Sequence, residues 1–334
     1  MRKILCVILC LFVVLTLCGC ALETNGQEKG LESLVSAIGF EQKGDNFYLY
    51  LETVTVNSED PSEDKKLILT EGSGKNLADA FSNASLKTVR PFMFSHCAVA
   101  VIGEGITAKR MREICRFLYN KDEINLSLRF VYTNDAKALL SCETVASVAV
   151  GYDLVDALDR QSSYSGIDYK NRFYEVESAR KNAVNILALP IFNVEDDAYS
   201  ISGSVIFKND ESVLELDDEQ TLIYSIVTEA NKKGTMLIDN KEYKLSKLSV
   251  ERRFSLDKRF KTELIINIKI EGDGKPETRI VTVISELFVI SKLRGADIFM
   301  LGNAVYKENP EIWSSIEHDY YNIYKNSQLA VTVR

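Results

Sequence analysis

Histidine is scarce in this 334-residue chain, which contains only His96 and His318. Histidine titrates near neutral pH, and its imidazole is a frequent metal ligand. The two residues lie in different halves of the sequence, and no Ser, Cys or carboxylate constellation is recognisable around His96. We therefore expect no catalytic residue and no metal site. Because His96 precedes an apolar run that is typical of a buried strand, its predicted role is a structural hydrogen bond.

The common catalytic and phosphate-binding motifs are absent as well. The sequence contains no G-x-S-x-G nucleophile elbow and no H-E-x-x-H zinc motif. Residues 72–76 (Gly-Ser-Gly-Lys-Asn) suggest a phosphate loop, but Leu69 stands where such a loop needs glycine, and Asn76 replaces its Ser or Thr. The acidic clusters 195–197 and 217–219 are typical of turns and helix caps. The alternative is that two of these carboxylates form the catalytic pair of a glycosidase. We expect a non-enzymatic protein without a cofactor.

Basic residues are outnumbered, with 40 Lys and Arg against 48 Asp and Glu. Removal of residues 1–19 would take two basic residues and no acid, which changes the formal net charge from −8 to −10. A negative surface repels phosphate groups, so nucleic acid is not an expected partner. The same charge excludes electrostatic attachment to anionic lipid.

The chain begins with an apolar run, Ile4–Leu17, that is too short to span a membrane, since a spanning helix needs about 20 residues. Arg2 and Lys3 precede the run, and Leu17-Cys18-Gly19-Cys20 ends it. This pattern predicts a lipoprotein signal peptide over residues 1–19. Cys20 would then become the mature N-terminus and the lipid attachment site, where the acyl chains provide the anchor. The alternatives are an ordinary secretory signal or a short membrane anchor.

Three cysteines remain in the body of the chain, Cys97, Cys115 and Cys142, and their spacing is not that of a metal site. Cys97 starts an apolar run and Cys115 lies in an apolar helical stripe. We expect three buried thiols, with one disulfide plus a free thiol as the alternative.

The periodicity of apolar residues predicts an α+β fold of two to three domains, each a mostly antiparallel or mixed β-sheet flanked by helices. The predicted divisions are a lipidated tether over residues 20–30, an N-terminal domain over 31–195 and a C-terminal domain over 196–334, which could divide into two subdomains. Predicted strands cover Val35–Phe40, Phe47–Val56, Cys97–Ile102, Leu126–Tyr132, Tyr199–Phe207, Val213–Leu216, Thr235–Ile238, Lys247–Phe254, Lys261–Glu271 and Leu329–Val333. Predicted helices follow caps at Asn76, Thr107 and Asp217 or Asp218, and cover Ala136–Leu140, Val145–Leu158, Pro276–Arg294 and Pro310–Tyr324. Predicted loops cover Ser58–Lys66 and Gln161–Lys170, and Pro190–Ala198 is the predicted boundary between the domains.

Several recognisable motifs are spaced along the chain from Cys20 to the C-terminus. The first half contains a G-x-T-x-x-E-A-like segment at Gly74–Ala80, a histidine strand with an I-G-E turn at Phe94–Ile106, and part of an R-D-x-E element at Lys121–Glu123. The second half contains a G-x-A-V-F-K-like strand at Gly203–Lys208, an L-x-x-x-E step at Leu214–Gln220, a Gly295–Gly302 segment, a P-x-x-W-like Asn309–Trp313, and Tyr320 or Tyr321 where a second Trp is common. In their order and spacing these motifs resemble those of the Ger(x)C lipoproteins, the C subunits of GerA-type spore germinant receptors. The short segment before Leu31 and the missing Arg of R-D-x-E depart from the family pattern.

The resemblance implies a non-enzymatic subunit that is anchored through Cys20 to the outer face of the spore inner membrane. It would act with the A subunit and the transporter-like B subunit of the same receptor in nutrient-triggered germination, with no direct small-molecule ligand of its own. The main alternative is a lipid-anchored solute-binding protein of an importer, for which parallel β-α-β units would be expected. A lipid-anchored hydrolase is the third hypothesis, which the low histidine count opposes.

Overall fold

The computed structural model describes residues 33–55, 66–121, 123–231, 233–256 and 260–334, which form two β-sheets with helices packed against them. The predicted signal peptide, Cys20, the tether and nearly all of the Ser58–Lys66 loop lie outside the described residues.

The first sheet contains both parallel and antiparallel strands, and its strands come from residues 33–216. Its strands are β1 (Ser33–Lys43), β2 (Asn46–Thr55), β3 (Lys66–Gly74), β4 (Phe92–Met93), β5 (Val99–Ile102), β6 (Arg129–Tyr132), β7 (Ile186–Glu195), β8 (Ala198–Lys208) and β9 (Glu211–Leu216). Their spatial order is β3-β2-β1-β5-β6-β7-β8-β9, and β4 pairs with the start of β1. The outer strands form antiparallel hairpins, whereas β1, β5 and β6 are parallel. Between β6 and β7 the ladder contains a single residue pair, Tyr132 with Ile191.

The second sheet is smaller and lies entirely in the C-terminal part of the chain. It consists of β10 (Gly234–Ile238), β11 (Lys241–Leu256), β12 (Phe260–Glu271) and β13 (Gln328–Val333), in that spatial order. The first three strands are antiparallel, and β13 returns to pair in parallel with β12. The prediction of a mixed or antiparallel α+β architecture is thus confirmed.

The helices flank both sheets. They are α1 (Leu77–Ser85), α2 (Ala108–Tyr119), α3 (Ala136–Leu140), α4 (Val150–Ser165), α5 (Phe173–Arg180), α6 (Asp218–Val227), α7 (Glu277–Arg294), α8 (Leu301–Glu308), α9 (Pro310–Ile316) and α10 (Tyr320–Lys325), with a short 3₁₀ turn at Glu317–Asp319. The caps occur where the sequence predicts them. The side chains of Asn76, Thr107 and Asp217 accept hydrogen bonds from backbone N–H groups in the first turns of α1, α2 and α6.

Several local predictions differ from the structure. The predicted helix Val145–Leu158 begins only at Val150. Helix α4 extends to Ser165, so the first half of the predicted loop Gln161–Lys170 is helical. Pro190–Glu195, part of the predicted domain boundary, belongs to β7, where Pro190 coincides with a shift in the strand register. Strand β6 is buried on both faces and excludes Leu126, which is exposed, because parallel strands at the centre of a sheet show no alternation. The predicted last helix is interrupted by the 3₁₀ turn.

The proposed division between residues 195 and 196 falls in the β7–β8 turn, where Asp196 and Asp197 adopt positive φ angles. Sheet pairing and one hydrophobic cluster continue across this point, from Ala37 in β1 to Tyr324 in α10. The division into domains therefore remains a prediction.

Candidate functional site

The two histidines do not form a site. The His96 side chain is exposed in the turn before β5, which contradicts the predicted buried hydrogen bond. His318 is also exposed, in the 3₁₀ turn that follows α9. The apolar run that begins after His96 suggested burial, but the turn itself faces solvent.

The prediction of three buried thiols is confirmed. Cys97, Cys115 and Cys142 are buried and none is in a disulfide. Burial raises the pKa of the Cys97 and Cys115 thiols to about 12, so neither is a thiolate at neutral pH. These cysteines act as small core residues and not as nucleophiles.

The acidic clusters are turn and cap residues, as predicted. Asp217 caps α6, Asp218 accepts a hydrogen bond from the N–H of Gly203 at 2.6 Å, and Glu219 pairs with Arg279 on α7. The hydrogen bond from Arg279 holds the pKa of the Glu219 carboxyl below its ordinary value.

The glycine-rich segment 72–76 is likewise structural. Gly72 and Gly74 are in β3, directly beneath α1, and a side chain at Gly72 would collide with the carbonyl oxygen of Ala80. The glycines allow α1 to approach the strand. They do not form a phosphate-binding loop.

Within the described part of the chain, no group of three or more His, Cys, Asp and Glu side chains is arranged to hold a metal ion. Among the described helices, none is both long and apolar enough to cross a bilayer.

The structure contains an apolar pocket of about 330 Å³ that the sequence does not indicate. It lies where β7, β8, α5 and α6 meet, with Leu187, Ser204, Ala179 and Tyr224 among its lining residues, and Met300 from the start of α8 also reaches it. Pockets of this size commonly bind small molecules when a few polar groups converge on an apolar lining. Sequence patterns could not find it, because its residues come from six separate segments.

Polar groups surround this pocket, but they are paired with one another. The hydroxyls of Ser204 and Thr221 are 2.9 Å apart in its buried wall. At its edge, Asp168 accepts a hydrogen bond from the ammonium of Lys170 at 3.1 Å, and Arg172 lies 3.9 Å from the same carboxylate. The arrangement offers an apolar cavity without a base and nucleophile pair, which suits binding or conformational adjustment better than catalysis.

Beside the pocket, C-terminal residues contact Val184, which lies in the turn that leads into β7. The Asn303 side chain accepts a hydrogen bond from the N–H of Val184 at 3.2 Å, and the Tyr321 hydroxyl donates to its carbonyl at 3.0 Å. A Cβ atom at Gly302 would lie 2.5 Å from the Val184 side chain. We call this contact the Val184 clamp. It couples the first sheet to the C-terminal helices.

A buried carboxylate supports the clamp. Asp297 is fully buried and accepts hydrogen bonds from the Gly302 N–H and the Tyr320 hydroxyl, both at 2.7 Å. Burial raises the pKa of Asp297. The ring of Tyr320 packs against Trp313 at a centroid distance of 4.9 Å. Residues from three parts of the C-terminal sequence thus meet at one place.

Two comparisons with known proteins are consistent with this architecture. Residues 32–194 match the family model described as the spore germination protein N-terminal domain. Over these residues, just under half of its length, the chain belongs to the Ger(x)C family of spore germination proteins. The structure is similar to the crystal structure of the GerBC protein, with a TM-score of 0.53 and 14% sequence identity, over 89% of this chain and 95% of that chain. At that identity the likeness establishes a shared fold. No curated protein sequence matches the chain significantly.

The motifs that resemble the Ger(x)C pattern have structural roles in the described residues. Gly74 and Asn76 position α1 on β3, and Gly203 adopts a positive φ where β8 meets Leu216. Gly295 ends α7 in a left-handed conformation. Asp297, Gly302, Trp313 and Tyr320, which are up to 23 residues apart, form the support of the Val184 clamp. The C-terminal Ger(x)C-like motifs therefore support the contact between Val184 and the C-terminal helices.

Proposed function

We propose that this Ger(x)C protein is the lipid-anchored, non-enzymatic C subunit of a spore nutrient germinant receptor. It acts with the A and B subunits of the same receptor, on the outer face of the spore inner membrane, in nutrient-triggered germination. The match of residues 32–194 to the spore germination domain carries the proposal, and the fold shared with GerBC over 89% of the chain supports it.

The chemistry of the described residues is consistent with a role in assembly. The two histidines are exposed and apart, the thiols are buried and protonated, and the acidic clusters are in caps and turns. The carboxylates that are most buried, such as Asp297, hold elements together. These are the features of a scaffold that presents surfaces to other subunits.

The lipid anchor is tested by the substitution Cys20→Ala. We expect the variant to lose acylation and to leave the membrane fraction or accumulate uncleaved, because each buried methylene of an acyl chain contributes about 0.8 kcal/mol to membrane binding and the acidic chain has no electrostatic substitute. Fractionation of spores and metabolic labelling with a fatty acid measure this. Cys142→Ala is the matched control and should leave labelling unchanged. A Cys20→Ala protein that is cleaved and still firmly membrane-bound would contradict the anchor.

The apolar pocket is the observation that favours the alternative, a solute-binding protein of an importer. Calorimetry on the mature chain with amino acids, sugars and nucleosides separates the two functions. The receptor-subunit proposal expects no measurable binding, and loss of the gene should abolish only the responses of its own receptor. Tight and specific binding of one such solute would favour the importer.

A further inference from the structure

Strand β13 forms one edge of the second sheet, and little prevents its outward backbone groups from pairing with another strand. Arg334 donates its N–H to the Ile266 carbonyl at 2.9 Å and accepts from the Ile268 N–H at 2.8 Å, so its backbone faces β12. Since backbone groups alternate along a strand, the N–H and C=O groups of Leu329, Val331 and Val333 face the opposite side. Across the described residues, no strand pairs with that side of β13.

The other edges of the two sheets are protected. Strand β3 lies beneath α1, with Gly72 against Ala80. Strand β9 carries Glu211 and Glu215, and Gly234 of β10 lies against the end of α4 near Ser165. By contrast, β13 (Gln-Leu-Ala-Val-Thr-Val) contains no charge and no proline, which are the usual devices that prevent an edge from pairing. An edge of this kind is a template for another strand.

A groove runs between this edge and α7, with a volume of about 550 Å³. Phe288 and Val289 line it from the helix, and Leu329 and Ala330 from the strand. Val289 is 57% exposed, and Leu293, one turn further along α7, is 80% exposed. A helix beside an open strand edge is the geometry with which some peptide-recognition domains bind an extended segment.

A buried polar atom in the groove lacks a partner. Thr262 is 3% exposed and lines the groove, and its hydroxyl makes no hydrogen bond to any described residue. A buried hydroxyl without a partner costs free energy, so this atom indicates a position where a bound group completes the structure.

The charge of the groove differs from that of the chain. Its charged lining residues are two lysines, Lys261 on β12 and Lys292 on α7, whereas the full sequence has a net charge of −8. The Lys292 ammonium donates to the Ser327 carbonyl at 2.8 Å. A carboxylate is the side chain that complements this local charge.

We propose that the groove between α7 and β13 binds an extended, acidic segment of another protein, which adds a strand to β13. The segment exchanges backbone hydrogen bonds with Leu329, Val331 and Val333. Its apolar side chains pack on Phe288 and Val289, and its carboxylates face the lysines. The inference rests on the groove alone and is independent of the receptor function proposed above.

The first test uses a fluorescein-labelled eight-residue peptide of alternating valine and glutamate and the mature chain with Cys20→Ala. We expect saturable binding by fluorescence anisotropy that weakens as salt rises, because the lysines contribute. A peptide of alternating valine and lysine should bind at least tenfold more weakly, and N-methylation of alternate peptide nitrogens should abolish binding. Equal binding of the two peptides, or of the N-methylated form, would overturn the proposal.

Protein variants locate the peptide. Val289→Asp and Lys261→Glu should each weaken binding roughly tenfold, whereas the matched changes Val145→Asp and Lys269→Glu, away from the groove, should alter it less than twofold. Val145 is 73% exposed and Lys269 lies on the same strand as Lys261, so both controls keep the fold.

Val331→Pro removes one outward N–H and should abolish binding, while Val331→Thr retains it. Circular dichroism verifies the fold, and since Val289 is exposed, its variant keeps the test decisive if the proline variant unfolds. Equal losses of binding in the control variants would refute the inference. So would sedimentation showing that the chain self-associates through this face.

Discussion

At the scale of single residues, buried carboxylates connect distant parts of the chain. Glu52 on β2 is fully buried and accepts hydrogen bonds from the N–H groups of Val150 and Gly151 at 2.7 and 2.9 Å, which start α4. The Ser36 hydroxyl donates to the same carboxylate at 2.6 Å. Burial raises the pKa of Glu52, and these donors oppose that shift. Because the helix start attracts negative charge, this interaction fixes α4 on the first sheet.

Asp153 makes stability depend on pH. Burial opposes its ionisation, but the N–H groups of Val145, Ala146 and Ser147 more than offset this, so the pKa of Asp153 is below its ordinary value. A lowered pKa stabilises the folded state above the ordinary pKa, and the gain is lost as the pH falls through the folded value. We expect Asp153→Asn to reduce the unfolding free energy by about 1–3 kcal/mol at pH 7 and by progressively less toward pH 3. Urea unfolding across that range measures it, and a difference that stays constant with pH would contradict the assignment.

His96 should be replaceable. Its side chain is exposed, so His96→Asn should change the unfolding free energy by less than about 0.5 kcal/mol, as is usual for surface positions. Thermal unfolding provides the measurement, and spore germination with the variant should match the wild type. A variant that folds normally but fails in germination would instead indicate that His96 contacts a partner.

At the scale of elements, the sequence predicted what depends on local pattern. Asn76, Thr107 and Asp217 cap the helices that they were expected to cap, and the stripe of Met111, Ile114, Cys115 and Leu118 is buried on α2. Strands β8 and β12 were recognised from alternation. Capping and periodicity act over a few residues, which is why they can be recognised in the sequence.

The elements that sequence reasoning missed depend on distant contacts. Pro190 is tolerated in β7 where the register shifts beside β8, which a local pattern cannot show. The end of α4 is set by Gly166 and by its packing against β10, about seventy residues later. The apolar pocket and the Val184 clamp likewise combine segments that are separated in sequence.

The contact of α1 with β3 provides a test at this scale. Gly72→Ala places a methyl group against the backbone of α1, and we expect a loss of about 2–4 kcal/mol, near the upper end for overpacking, because backbone cannot move aside as a side chain can. Gly44→Ala is the control. It has a positive φ but open space, so it should cost only about 1 kcal/mol. Chemical denaturation of both variants measures the difference, and equal losses would mean that the close approach is unimportant.

At the scale of the whole molecule, the two sheets share a hydrophobic core. One cluster contains Tyr50 and Val131 from the first sheet, Ile223 from α6, and Leu264 and Ile284 from the C-terminal part. The Val184 clamp adds hydrogen bonds at the same junction. We infer that the two parts stabilise each other.

Truncation tests the predicted division at residue 195. Strand β7 pairs with β6 at one residue pair but with β8 along most of its length, so a fragment of residues 31–195 leaves β7 almost unpaired. We expect the amides of residues 186–195 to exchange rapidly with deuterium in that fragment and slowly in a fragment of residues 31–216. The full mature chain is the reference. Equal protection in the two fragments would support an independent domain that ends at 195.

The central position of β1 also has a consequence in time. Among the described strands β1 is synthesised first and its hairpin partner β2 follows directly, but the strand that pairs with Ala37–Phe40 on the other side, β5, follows only at Val99–Ile102. At a synthesis rate of roughly 5–20 residues per second, the 59 residues between Lys43 and Ile102 take about 3 to 12 s. During this interval one side of a strongly apolar strand is unpaired, and a parallel partner is slow to dock once it emerges. The nascent chain, before Val99–Ile102 is available to pair with β1, is therefore the stage at which we expect a holding chaperone to protect this protein most.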